Sequence, residues 1–395
     1  MVKASRLPQL AAALLVSALL VATAMAQSTR LEQDGLYWVR TVNTPVAVPQ
    51  TARLRIATRG HVVLRGATGD QVTYILTQRV RARSEAEALR LLGSWEALAQ
   101  RRPDGITLVV LPKATGNVIS ELQVFIPRSV NLAILDTQTG DIEAYDLEGS
   151  LQASTPAGMI RCDRIHGAVW GRTGDGEIHL GKVNGQVRCL SGGGSIMVDS
   201  AGADANCQTA GGEIIVRQAG GPLVLSTEGG NIQVEKAAST VQAHTGEGVI
   251  DVYQAGGTVV ADTRGGSIQV GSARGVKCES AAGTIRVKTS ASPLRISTAV
   301  GSILAELLAG TKLDDSSLVA GSGDVTVMIP ANLALSVLAQ NDAGGRPRIV
   351  SDFAGIRSNT FGVTQPATVE GAINGGGPVL HINVDSGTIY LRRLK

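Results

Sequence analysis

The sequence predicts an all-β chain wound as a right-handed parallel β-solenoid of eighteen-residue coils, and three observations carry that prediction. A Gly-x-Ile pattern recurs at a fixed interval, apolar residues alternate within each interval, and aromatic residues are scarce. The pattern opens at Gly140-Asp141-Ile142 and returns at Gly158, Gly176, Gly194, Gly212, Gly230, Gly248 and Gly266, eighteen residues apart each time. It survives a one-residue deletion to reach Gly283-Thr284-Ile285, then Gly301-Ser302-Ile303 and a looser Gly323-Asp324-Val325. The unit from Gly230 shows the inner pattern: Ile232, Val234 and Ala237, then Val241, Ala243 and Thr245. Spacing of two marks strands with one buried face, so each coil holds two strands in nine-residue halves. A weaker glycine nine residues on, as at Gly149, Gly167, Gly185, Gly221 and Gly257, marks the second corner. Glycine suits such corners because it reaches positive φ freely. A unit this short cannot bury its own apolar face, so successive units must stack. Aromatic residues make up 3% of the chain against 48 glycines, as a narrow interior built of small and β-branched side chains requires.

Other repeats of this length fail on particular residues. A left-handed hexapeptide helix needs an apolar residue every six, but six beyond Ile178, Ile214 and Ile232 stand Asn184, Gly220 and Ala238. Six further stand Leu190, Ser226 and His244, and with that pattern goes the acyltransferase function it would suggest. Calcium-binding rolls repeat Gly-Gly-x-Gly-x-Asp, whereas Gly229-Gly230-Asn231 runs into Ile232 and no aspartate recurs at the turns. Right-handed winding follows because parallel crossovers are almost always of that hand. At the ~4.8 Å strand spacing, the coils from Gly140 to Gly301 predict a rod about 45 Å long before its caps.

From the start of the chain, Lys3 and Arg6 precede an apolar run from Leu10 to Ala22, and Ala24-Met25-Ala26 is a small-x-small cleavage site. Residues 1–26 are therefore expected to be a signal peptide cleaved after Ala26. The run is short for an uncleaved membrane anchor, and no cysteine follows the site to accept a lipid. The mature chain is expected to be exported, to a periplasmic, cell-surface or secreted location, with no membrane span. Its formal charge of +3 falls to +1 without Lys3 and Arg6, which gives nucleic acid no basis as a partner.

Residues 27–130 lack the period and are expected to form a β-rich cap on the open first coil, whose apolar interior and strand edges need covering. Alternation predicts strands at Arg53 to Ala57, Val62 to Leu64, Val72 to Gln78 and Ile106 to Leu111. One helix is expected from about Glu85 to Arg101, capped by Ser84 and Glu87, with a stripe of Ala88, Leu91, Leu92, Trp95 and Leu98. The solenoid is assigned to residues 131–330. Residues 331–395 are assigned to an insertion and a closing coil. The stretch from Asn341 to Pro378 is rich in turn residues and predicts long loops, and the coil pattern returns at Leu380, Ile382, Val384 and Gly387 to Leu391. Asn374-Gly375-Gly376-Gly377 lacks the Lys-Ser/Thr and helix of a phosphate loop and predicts a turn.

With those features in view, the chain resembles the bacterial putative-adhesin family. The N-terminal strands with one helix, the Gly-x-Ile ladder, the Gly323-Asp324-Val325-Thr326-Val327 exit and the late Asn374-Gly-Gly-Gly segment carry the resemblance over nearly the whole mature chain. It implies an exported β-solenoid and brings no catalytic, cofactor or metal residues.

The search for chemistry is otherwise thin. His61, His166, His179, His244 and His381 are scattered and show no metal-ligand spacing. The outward column three residues after each first glycine reads Glu143, Arg161, His179, Met197, Ile215, Gln233, Asp251 and Gln269, without the carboxylate pair of glycoside cleavage. No catalytic, cofactor or metal residue is therefore expected.

A second column of hydroxyls precedes the glycines, from Thr137 through Ser191 to Thr298. An outward hydroxyl array would bind ice or glycan, but the inward phase of Val241, Ala243 and Thr245 favours a buried ladder that satisfies backbone groups. Cys162, Cys189, Cys207 and Cys278 share the inward phase and predict buried free thiols, with Cys189 and Cys207 alone close enough for a bridge. The expected function is a non-enzymatic cell-envelope protein, adhesive or structural, whose partner is an envelope protein or a glycan. The alternatives are a carbohydrate-active enzyme with its site in the 341–378 loops, or a scaffolding or regulatory partner of an envelope complex.

Overall fold

The computed structural model describes residues 28–47, 53–93, 95–103, 105–112, 118–289, 293–308, 313–343, 348–356 and 367–394. The signal peptide expected at residues 1–26 lies outside them.

Each repeat makes two strands because its apolar residues fall at two different phases around one coil. In the unit from Gly230, Ile232–Ala237 buries Ile232, Val234 and Ala237 and turns Gln233, Glu235 and Lys236 outward. Two consecutive outward residues, Glu235 and Lys236, shift the inward phase by one residue, so that Ala237 returns to the core. The next strand, Val241–Thr245, alternates strictly. Successive coils then pair in parallel with a shift of eighteen, so Ile214 meets Ile232 and Ile232 meets Ile250, as the periodicity predicted. Two open sheets result, one carrying the Gly-x-Ile strands and the other the second-half strands. The isoleucine column from Ile142 to Ile303 is at most 1% exposed and runs through a continuous core. Each such side chain contributes about 2–3 kcal/mol of burial.

The glycines of the first corner are there mainly for space, which corrects the expectation of positive φ. Only Gly140, Gly301 and Gly323 within the repeat, and Gly387 in the closing coil, adopt left-handed backbone. At the intervening corners the backbone of one coil rests on the next. A Cβ on Gly176 would lie 1.9 Å from the Gly158 carbonyl oxygen, and one on Gly230 would lie 1.9 Å from that of Gly212.

The solenoid closes at each end by interleaving a coil out of sequence order. At one end Arg53–Thr58 lies between Gly105–Pro112 and Leu132–Thr137, parallel to both. His61–Ala67 lies likewise between Val118–Pro127 and Ile142–Leu147. Coil stacking thus extends into the region expected to be a cap. Antiparallel strands then cover that end: Gln71–Arg81, Tyr37–Ala47 and Ser28–Asp34 on the first sheet, and Trp95–Arg102 on the second.

At the other end Val379–Ser386 slots between Ser316–Ser322 and Leu335–Asn341, and Thr388–Leu394 between Val325–Pro330 and Arg348–Ser351. The closing coil is therefore present, but it sits beneath a coil formed earlier in the chain. The stretch expected to be loop contains the strands Arg348–Ser351 and Ala367–Ile373. Residues 344–347 and 357–366 lie outside the described set.

The helix is shorter than its apolar stripe predicted. It spans Glu85–Gly93, and Trp95–Arg102 is a strand paired antiparallel with Gly105–Pro112. Gly93 favours a stop, and the exposed ladder edge of Gly105–Pro112 claims the following residues, so tertiary pairing overrides local propensity. The expected cap forms in modified shape: the Glu87 amide donates to Ser84 Oγ at 3.3 Å, while the Glu87 carboxylate accepts from Arg83 rather than Ser84. Arg40 fixes the far end by donating to the Leu92 carbonyl at 2.8 Å.

Candidate functional site

The hydroxyl column is internal. Its members from Thr137 to Thr298 are 0–6% exposed. Thr227 is typical: its hydroxyl donates to the Gly212 carbonyl one coil away at 2.9 Å and accepts from the Gly230 amide at 3.1 Å. The same pair of bonds recurs at Thr155, Thr173, Ser191, Thr209, Thr245 and Thr263. These hydroxyls link coil to coil and present nothing to a ligand. Asn374 forms the expected turn at φ 52°, donating to the carbonyls of Ala331 and Leu333 at 2.8 and 2.9 Å.

Titratable groups gather on the outward face of the first sheet, but their bonds are structural. Asp163 Oδ1 accepts from the backbone amides of Arg164 and Lys182, each at 2.9 Å, across the notch left by Gly181. Asp199 sits between Arg217 and His179, the latter at 3.4 Å. Tyr145 donates to Glu143 at 2.6 Å, and burial, reinforced by that carboxylate, pushes its phenol up to about 12. Asp146 and Arg164 both adopt left-handed backbone and form a two-pronged ion pair at 2.7 and 3.0 Å. That pair, with Arg128, holds the Asp146 carboxyl below its usual range. His61 and His244 face single carboxylates at 3.6 and 3.7 Å. Among the described residues no group of three or more His, Cys, Asp or Glu could hold a metal.

A recess lies on the opposite sheet. It is a shallow groove of about 360 Å³. Its floor is the backbone at Ala153, Gly171 and Cys189, whose side-chain positions face the core. One wall is the outward column Gln152, Trp170, Arg188 and Asn206, each in register with the next. The other is Ser154, Arg172, Leu190 and Gln208, in register likewise. Ile134 and Asp136 extend these columns by one coil, so the groove crosses five strands, about 19 Å along the axis.

Trp170 is 46% exposed and Leu190 43%, and the Arg188 guanidinium lies 5.4 Å from the centre of the Trp170 ring. The outward column three residues after each first-corner glycine does not contain these residues, since Trp170 and Arg188 follow the second-corner glycines Gly167 and Gly185. The signal available was an outward tryptophan in a chain holding three.

No family model matches the chain, and no curated protein does. Among solved structures it is similar to a putative cell adhesion protein from Clostridium sporogenes, at 9% identity and TM-score 0.19, over 90% of this chain and all of that one. It is also similar to a putative adhesin from Bacteroides fragilis, at 15% identity and TM-score 0.27, over 67% of this chain and 96% of that one.

Proposed function

We propose that the chain is a non-enzymatic, exported cell-envelope protein that uses one side of its solenoid as a binding surface. The observation that supports this reading is the groove along Trp170. It exposes an aromatic ring and a leucine on the outside of a sheet whose core is already complete, where solvent-facing apolar groups bring no folding gain. Many coils in register give such a surface rigidity at little entropic cost on binding.

The intact protein should sediment with envelope or cell-wall fractions, and should release no product from the glycans it binds. Failure to sediment with any envelope fraction would remove the surface-binding reading. Turnover of a bound glycan would replace it with the carbohydrate-active alternative.

A further inference from the structure

We infer that the groove along Trp170 binds an acidic oligosaccharide, an inference that rests on the surface-binding reading above. Hydrogen bonding excludes one common occupant first. The floor lies in the middle of a parallel sheet, where Ala153, Gly171 and Cys189 are paired in register on both sides. An extended peptide recognised by strand addition needs an unpaired edge, and none exists here. Recognition must run through side chains.

Charge comes next. Among the described residues, Arg172 and Arg188 line the groove and form no ion pair, Arg188 resting on the Trp170 ring, so two guanidiniums face the groove without a carboxylate partner. The one carboxylate at its end, Asp136, is paired with Arg55 at 3.2 Å. In the same outward column further along, Lys277 is paired with Glu279 at 3.2 Å, so an unmatched cation is not imposed by the coil geometry. Guanidinium bonds carboxylate through two parallel N–H groups, and does so best away from bulk water.

The remaining lining matches a sugar ring. A pyranose has an apolar C–H face and a rim of hydroxyls that both donate and accept. Trp170 offers a flat apolar surface, steadied by Arg188 on one side. Gln152, Asn206 and Gln208 carry carboxamides, which also donate and accept. The Gln208 amide donates to Asn206 Oδ1 at 3.3 Å, holding the pair in place. The length of the groove suits a chain of several sugars rather than one.

The test measures binding of the full chain to polygalacturonate, to neutral dextran and to poly-glutamate by isothermal titration at low salt. Trp170→Ala and the double variant Arg172→Gln, Arg188→Gln are compared, with circular dichroism melts confirming that these outward substitutions leave the fold intact. The expected result is binding to polygalacturonate, weakened about tenfold or more by each variant and by added salt, with no binding to dextran. Absence of polygalacturonate binding, or binding unaltered in both variants, would overturn the inference. Equally tight binding of poly-glutamate would also overturn it, because the surface would then read charge alone. If the double variant loses polygalacturonate but still sediments fully with the envelope, the acidic-sugar inference stands and the attachment to the envelope runs through another part of the surface.

Discussion

Gly229 and Gly230 are neighbours in sequence and differ completely in what a methyl group would meet. A Cβ on Gly229 has its nearest atoms, around Ala210 and Gly211, at 4.0 Å. A Cβ on Gly230 would lie 1.9 Å from the Gly212 carbonyl oxygen and 2.4 Å from its carbon. Relief requires the two coils to part by about 1 Å, since Cβ contacts essentially never fall below 3.0 Å. That separation stretches the bond from Thr227 to the Gly212 carbonyl, now 2.9 Å, and the bond from the Ile214 amide to the Asn231 carbonyl, also 2.9 Å.

Two buried hydrogen bonds at about 1 kcal/mol each, with loosened packing of Ile232 on Ile214, give a loss of roughly 2–4 kcal/mol for Gly230→Ala. Gly229→Ala keeps its backbone bond to Ala210 and should change stability by less than about 1 kcal/mol. Urea unfolding followed by circular dichroism, with both variants beside the parent, measures the difference. Equal midpoints would refute the steric account of the corner.

Ile232 is fully buried between Ile214 and Ile250, so Ile232→Asp should cost several kcal/mol, whereas Gln233→Asp, on the outward side, should cost about nothing in thermal melts. Thr227→Val keeps the shape but strands the Gly212 carbonyl and the Gly230 amide, and should lose about 1–3 kcal/mol that Thr227→Ser largely retains, read by urea midpoints.

The four cysteines are free and buried, so alkylation should label none in the native protein and four after denaturation, counted by mass spectrometry. Burial pushes the Cys162 thiol up to about 12 and raises Cys278 too, while Cys189 is raised first by its bond with Cys207 and then by burial. The unfolded chain ionises first, so stability should be full below pH 9 and decline as pH rises towards 12, by about 1.4 kcal/mol per unit for each such thiol. Cys162→Ala should flatten that decline in melts run from pH 8 to 11.

The periodic part of the chain was legible because a solenoid makes the same contact in every coil. Ile214 meets Ile232 for the same reason that Ile232 meets Ile250, so an eighteen-residue interval in sequence becomes a vertical column in space. The inward phase of the hydroxyls and cysteines followed from the same count. The reason for the corner glycines was not legible: φ and crowding both select glycine, and only the stacked backbones show that crowding dominates at Gly176 and Gly230.

At the ends, local pattern and tertiary pairing compete, and pairing wins. The stripe through Trp95 and Leu98 reads as helix, yet those residues extend as a strand along Gly105–Pro112. Likewise Arg348–Ser351 and Ala367–Ile373 hold turn-forming neighbours and still pair as strands, because the last coils offer open edges.

Residue spacing was enough to specify the two-strand coil, its register, and which side chains face inward, since each depends only on intervals along the chain. Tertiary structure alone decided that Arg53–Thr58 and Val379–Ser386 lie between coils formed later and earlier in the chain, respectively. It also decided that Trp170, Arg172 and Arg188 border one groove. Both outcomes depend on which surfaces meet across distant segments, and a repeat interval carries no information about its own ends or about gaps between outward side chains.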